Sequence, residues 1–272
     1  MKTLKHKWNL CKAVALVTYK EWGAYRTHSM VSLLVGPVSF VVQYFIWTAV
    51  YSGQQTLQGM ELRQVLTYYG CTTLIHYLTM DFADWNLAML VRTGKFLTFQ
   101  LRPLHHRFFA FSQKLGHRVL GLVIEFVPCF LIFHFIFGIN MIPRYIGWTL
   151  ISIGLSFLMN FYVNYTIGLT AFWLVNADGL RGVWQALTMV LSGGLIPLVF
   201  FPVWLQKALL FLPFQYITYV PSMVFSGSYT LAGLSLDIPV IVALQGAAVA
   251  VTALISQAVY TRAMRRFTAA GG

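Results

Sequence analysis

Charge is what this chain has least of. Only 10% of its 272 residues are Asp, Glu, Lys or Arg, and 7 of those are acidic. An ordinary soluble domain carries roughly 25% charged residues, and a chain of this length needs a polar skin around its core. The shortage argues against a soluble enzyme. The 58% hydrophobic content argues equally against disorder, which requires low hydrophobicity. Cysteine is scarce as well. Cys11, Cys71 and Cys129 are scattered without CxxC spacing, so they read as small buried hydrophobes rather than metal or redox ligands. No G-x-x-x-x-G-K-[ST] phosphate loop, HExxH or GxSxG is present, and no Asp pair falls in a central apolar run. The net charge of +12 forms no basic stripe interleaved with stacking aromatics, so nucleic acid is not an expected partner. Lys2, Lys5, Lys7 and Lys12 interrupt the N-terminus, and no small-residue cleavage site follows, which is unlike a signal peptide.

Long uncharged runs take the place of charge. Thirty-four residues separate Arg26 from Glu61, 33 separate Arg144 from Asp178, and 29 separate Lys207 from Asp237. A helix crossing lipid needs ~20 mostly apolar residues. Barrel strands would instead alternate over ~10 residues. The expected class is an all-α polytopic membrane protein, with residues 1–272 forming one transmembrane domain.

Residues 1–27 are expected to form an amphipathic interface helix, because Leu4, Trp8, Cys11, Ala15, Thr18 and Trp22 recur at helical spacing between lysines. Six spans are expected at Met30–Tyr51, Gln64–Met80, Val119–Phe137, Gly147–Val175, Trp184–Phe200 and Ile238–Tyr260. Gly36-Pro37 marks a kink in the first. Residues 201–237 carry Pro202, Pro213 and Pro221, too many for one regular helix. Short helices that enter the outer leaflet and turn back suit this stretch if protein surrounds them. With six spans, 16 of the 19 Lys and Arg residues fall on the side of both termini, which makes that side cytoplasmic.

Intramembrane polar residues are functional candidates. Glu125 and His76 are two. Glu125 is expected to be a structural carboxylate bonded to a neighbouring helix, and His76 and His134 to be packing or interfacial residues. Ser152, Ser156, Asn160, Asn164 and Gly168 repeat every four positions, as expected of a stripe that glues helices together.

The basic segment 81–118 is longer than a simple connection requires. Its run Val91-Arg92-Thr93-Gly94-Lys95, then Leu97, then Leu101-Arg102-Pro103-Leu104 resembles the cytoplasmic segment between the first two hairpins of type-2 ATP-binding-cassette exporter permeases. Ser192-Gly193-Gly194-Leu195-Ile196-Pro197, Phe201-Pro202, Leu212-Pro213-Phe214 and Tyr219-Val220-Pro221, closing on Gly227, resemble that family's fifth span and re-entrant helices. The terminal Gly271-Gly272 agrees with one bacterial branch. The resemblance implies a permease of the inner membrane that pairs with a second permease, identical or related. Two cytoplasmic ATPase subunits, which hold the ATP and Mg, would dock on the pair. It implies export of lipids, glycolipids, peptides or drugs by alternating access. Arg92, Gly94, Lys95, Leu97, Leu101, Arg102 and Pro103 would form the ATPase-coupling segment, with Phe96 and Phe99 as further apolar anchors. Pro197, Pro202, Pro213, Phe214 and Pro221 would shape an external gate. A proton-coupled transporter and a non-transport scaffold are the alternative readings.

Overall fold

In lipid every backbone N–H and C=O must find its partner inside the segment, so apolar runs of this length become helices. A computed structural model describes residues 2–24, 26–101, 104–174 and 177–267. The helices are α1 (Lys2–Ala24), α2 (Arg26–Val50), α3 (Leu62–Thr79), α4 (Ala83–Arg92), α5 (Leu97–Gln100), α6 (His106–Gly121), α7 (Val127–Leu131), α8 (Ile146–Leu169), α9 (Asp178–Leu191), α10 (Val203–Phe211), α11 (Tyr219–Ser226) and α12 (Ile238–Arg266). Two antiparallel hairpins complete the fold, Thr56–Leu57 with Met60–Glu61 and Tyr229–Leu231 with Leu234–Leu236. The sequence pattern does not announce either of them.

Among the described residues four helical stretches are long and apolar enough to cross a membrane: Leu33–Val50, His106–Ile136, Ile146–Phe172 and Ile238–Arg266. The second runs through two π-helical segments, Leu122–Phe126 and Ile132–Ile136, which bracket α7. Pro128 clashes with the turn before it, and a widened turn relieves such a clash. The expected span 119–137 is thus the far part of one helix that starts at His106. The segment 81–118 is correspondingly not one loop: residues 106–118 already belong to that helix. The last span also runs past Tyr260, taking Arg262, Arg265 and Arg266 into the helix.

The expected span Trp184–Phe200 is not one continuous helix. α9 stops at Leu191, Gly193 turns into the left-handed region at φ +87°, and a 3-10 turn follows at Leu198–Phe200. Pro197 lacks the N–H needed to continue the helix. A side chain at position 193 would also meet the Tyr68 hydroxyl, so glycine alone fits.

α3 is the enclosed centre. Eleven of its 18 residues are buried, although its threonines make it less apolar than its neighbours. Those hydroxyls turn back on their own backbone: Thr67 donates to the Arg63 carbonyl, Thr72 and Thr73 to Tyr69, and Thr79 to Ile75. Against α3 lies α2, whose Pro37 has no N–H and so leaves the Leu33 carbonyl without its helical donor. The Tyr77 hydroxyl and the Cys129 thiol approach that carbonyl at 3.4 and 3.8 Å. Tyr77 comes this close because residue 36 is glycine, whose N–H bonds the same hydroxyl oxygen at 2.9 Å. All three cysteines are buried and free.

α1 lies along α6. Gly116 makes the crossing possible: a Cβ there would overlap the Ala15 carbonyl oxygen. Cys11 and Thr18 are buried on the same face of α1, whereas Trp8 is exposed.

Candidate functional site

One end of the bundle gathers α4, the start of α6 and the ends of α8 and α12 around Leu87, Phe96, Ala110, Phe161, Tyr165 and Ala263. Here α3 ends, and its last carbonyls need donors from elsewhere. Arg118 supplies one, with Nη1 2.6 Å from the Tyr77 carbonyl oxygen, and Asn160 Nδ2 supplies another at 2.7 Å to Thr79. Arg118 also faces Glu125 at 3.7 Å, and both side chains are almost fully buried. Gly121 leaves room for that pair, since a Cβ would sit 2.9 Å from Glu125 Oε2. Glu125 thus faces a cation of its own helix. The seven-residue interval spans the start of the π segment that displaces Glu125 from ordinary helical register.

A second buried pair joins Lys114 to Asp81 at 3.3 Å, and Lys114 Nζ also donates to the Phe157 carbonyl at 2.9 Å. Burial pushes the Asp81 carboxyl above its usual range, while the ammonium beside it pulls in the other direction. A buried pair holds its charge only when further hydrogen bonds complete it, and both cations here have a backbone carbonyl.

A third pair joins α4 to α9. Arg181 Nε donates to Asp84 Oδ2 at 2.8 Å, Gln185 Nε2 approaches the same oxygen at 3.4 Å, and Asp84 is buried. α4 crosses α8 tightly, because a Cβ on Gly168 would stand 3.0 Å from the Asp84 Cα and carbonyl oxygen. Lys114 and Arg118 belong in sequence to the basic segment 81–118. Their burial is signalled there only by the four-residue spacing of Ala110, Lys114 and Arg118, which puts two cations on an apolar face.

The proposed coupling residues divide. Arg92 closes α4 and pairs with Asp178 at 3.3 Å on the surface, so it already has an acid within the chain. Gly94 turns at φ +70°, Lys95 is exposed, and the four-residue α5 follows. Leu97 and Leu101 are exposed, the latter at 81%. Phe96 and Phe99 are not anchors for a partner: both are buried, Phe96 against Phe172 and Phe267 and Phe99 against His106. Arg102 and Pro103 lie outside the described residues.

The four-residue stripe of α8 meets a different element at each step. Ser152 Oγ bonds Gln245 of α12, Ser156 the Ile217 carbonyl, Asn160 the end of α3, and Gly168 receives α4. Asn164 Nδ2 donates back to Asn160 Oδ1 at 3.3 Å. His76 sits exposed in the last turn of α3.

At the other end, each proline starts a new element. Pro197 and Pro202 cap the 3-10 turn and α10, Pro213 opens a second 3-10 turn, and Pro221 lies in the first turn of α11. Residues 201–227 therefore form two short helices, not one. Phe214 is buried against the Trp184 ring. Gln206 ties α10 to the second hairpin, donating to Phe201 and accepting from the Ala232 N–H, both at 2.7 Å. Beside this cap a cleft of about 590 Å³ opens between α2, α3 and the chain after α9. Gln43, Trp47, Tyr69, Leu195, Phe200 and Phe201 line it. Two tyrosines of α3 fix one wall: Tyr68 donates to the Gly193 carbonyl at 2.7 Å and Tyr69 to Leu195 at 2.8 Å.

A sequence-family model described as "ABC-2 family transporter protein" matches residues 38–271. No curated protein and no solved structure matches the chain.

Proposed function

Because the chain belongs to the ABC-2 transporter family, we propose that it is the permease through which a separate ATPase drives a substrate outward across the cytoplasmic membrane. Membership makes it a transmembrane subunit of an ABC transporter, and such permeases work with ABC ATPase partners. The match over residues 38–271 is the observation that carries the reading.

In this reading there are six crossings: α2, α3, the helix from His106 to Ile136, α8, α9 with the turn after it, and α12. Both termini and the α4–α5 connection are cytoplasmic, as the Lys and Arg distribution favours. Leu97 and Leu101 stand four residues apart beside Lys95, which suits a small apolar knob with a basic rim docking on the ATPase. ATP and Mg belong to that partner. The second permease, identical or related, covers the exposed apolar faces of α2 and α9, where Leu34, Val38, Phe45, Val183 and Leu187 are exposed. The cleft lined by Trp47, Tyr69 and Phe200 suits a lipid, glycolipid, peptide or drug-like substrate. The prolines at 197, 202, 213 and 221 shape its outer rim. A proton-coupled mechanism is less suited, since Glu125 is buried against Arg118.

Purification of the chain from its native membrane, with partners identified by mass spectrometry, tests this directly. An ABC ATPase should copurify, and Leu97→Cys or Leu101→Cys should crosslink to it. An active complex that never crosslinks there would retire the docking assignment, and transport without any ATPase would retire the whole reading. Reporter fusions should place residue 100 inside and residues 52–63 outside.

A further inference from the structure

α9 is attached unlike any other long helix of the bundle. None of its residues is buried, and Leu180, Val183, Leu187 and Met189 are all exposed. Trp184 packs on Phe214 and Leu191 on the same core, and polar bonds at the two ends complete the attachment. At its foot, Arg181 and Gln185 converge on Asp84, and Asp178 meets Arg92. Both acceptors of this foothold lie on or pair with α4. Just past its head, Tyr68 and Tyr69 of α3 hold the carbonyls of Gly193 and Leu195. Leu195 lines the cleft.

The foothold is better built than a surface ion pair. Asp84 is 3% exposed, its other oxygen accepts the Trp85 N–H at 2.7 Å, and its backbone is pressed against α8 at Gly168. Its carboxylate is thus fixed relative to α4, and it holds Arg181 through a charge-assisted bond of 2.8 Å. Arg92–Asp178, with both side chains 53% exposed, adds direction more than strength.

We infer that Asp84 is a positioning residue that fixes the foot of α9 to α4, so that a displacement of α4 is carried along α9 to the Leu195 wall of the cleft. α9 is short, and its flank is held within this chain chiefly where Trp184 meets Phe214, so a push at its foot is carried towards its head. The glycine crossing at Gly168 lets α4 pivot on α8 without a side chain in the way. Arg181 is the receiving group and Gln185 the second tether. This inference rests on the reading of α4–α5 as the segment an ATPase pushes.

The test uses the full complex with its ATPase in proteoliposomes. Leu195→Cys reports on the cleft, and its labelling by a maleimide is compared with and without ATP plus vanadate. The native cysteines are buried, and peptide mass spectrometry assigns the label to position 195. With Asp84 intact, trapping the nucleotide state should change the labelling rate several-fold. Asp84→Asn and, separately, Arg181→Gln should reduce that change to within twofold of none, while ATP hydrolysis in the same vesicles shows the ATPase still docked. Arg181→Lys, which keeps the charge, should restore most of the change. Arg181 is a quarter exposed, so its variant reports even if Asp84→Asn fails to assemble. A full nucleotide-dependent change in assembled Arg181→Gln overturns the inference. If the complex with Asp84 and Arg181 intact shows no change, or has no ATPase, the underlying reading fails and not the link at Asp84 alone.

Discussion

Replacing Gly116 by valine should lift α1 off α6. An ideal Cβ at this position overlaps the Ala15 carbonyl oxygen and stands 2.8 Å from the Ala15 Cα. Both are backbone atoms and cannot rotate aside, so the helices must part. Overpacking of this kind costs about 1–3 kcal/mol. Against it stands helix propensity, which favours alanine over glycine by about 1 kcal/mol in a helix interior but favours valine by only a few tenths. Alanine would therefore blur the result, and valine leaves nearly all of the overlap cost visible. Taking about 2 kcal/mol for the docked state, and tenfold for each 1.36 kcal/mol, local opening of α1 becomes roughly 30-fold more frequent. Cys11 reports that opening, since it is 7% exposed, on the face of α1 that carries Ala15. Maleimide labelling at Cys11, read by peptide mass spectrometry, should accelerate by about that roughly 30-fold factor, while Cys71 and Cys129 stay protected. An unchanged Cys11 rate in a folded Gly116→Val protein would refute the crossing.

Arg118→Met removes the cation that faces the Glu125 carboxylate and bonds the Tyr77 carbonyl, and should lower stability by about 3–5 kcal/mol. Adding Glu125→Gln should recover more than half of it in thermal unfolding in detergent, and no recovery would mean that the pair is not coupled. Gln245→Leu removes three bonds that hold α12 to Ser152 and Tyr216, an expected loss of about 1–3 kcal/mol; a neutral outcome would show that these groups find other partners. Gly193→Ala should cost about 1–2 kcal/mol from its left-handed backbone, and more as it displaces Tyr68, so Tyr68→Phe in the same background should add little further loss.

Helical class, the membrane setting and most span positions were legible because apolar run length is a one-dimensional property. The breaks at Pro202, Pro213 and Pro221 were legible too, since proline acts on its own backbone. What could not be read was the fate of polar groups. Lys114 and Arg118 look in sequence like the basic rim of a loop, but each answers a carbonyl brought near by another helix. Phe96 and Phe99 look like surface anchors, but Phe172 and Phe267 arrive from far along the chain to enclose Phe96, and His106 covers Phe99. The end of α9 was missed because Trp184 and Val190 are as apolar as any span, while Gly193 turns the chain for the sake of a tyrosine 125 residues away.

The enclosure of α3 has a consequence for how the protein is made. A segment with four threonines and a histidine offers the insertion machinery little gain on entering lipid alone. Its hydroxyls are silenced only once the helix has formed, and Tyr77 finds the Leu33 carbonyl and the Gly36 N–H only if α2 is already beside it. The short hairpin between the two helices keeps α2 within reach as α3 emerges. On the six-crossing reading, biosynthesis follows an order in which α2 waits in the bilayer and serves as the solvent for α3. A defect at Gly36 or Tyr77 should show itself in the nascent chain, as retention and degradation, before any transport is lost.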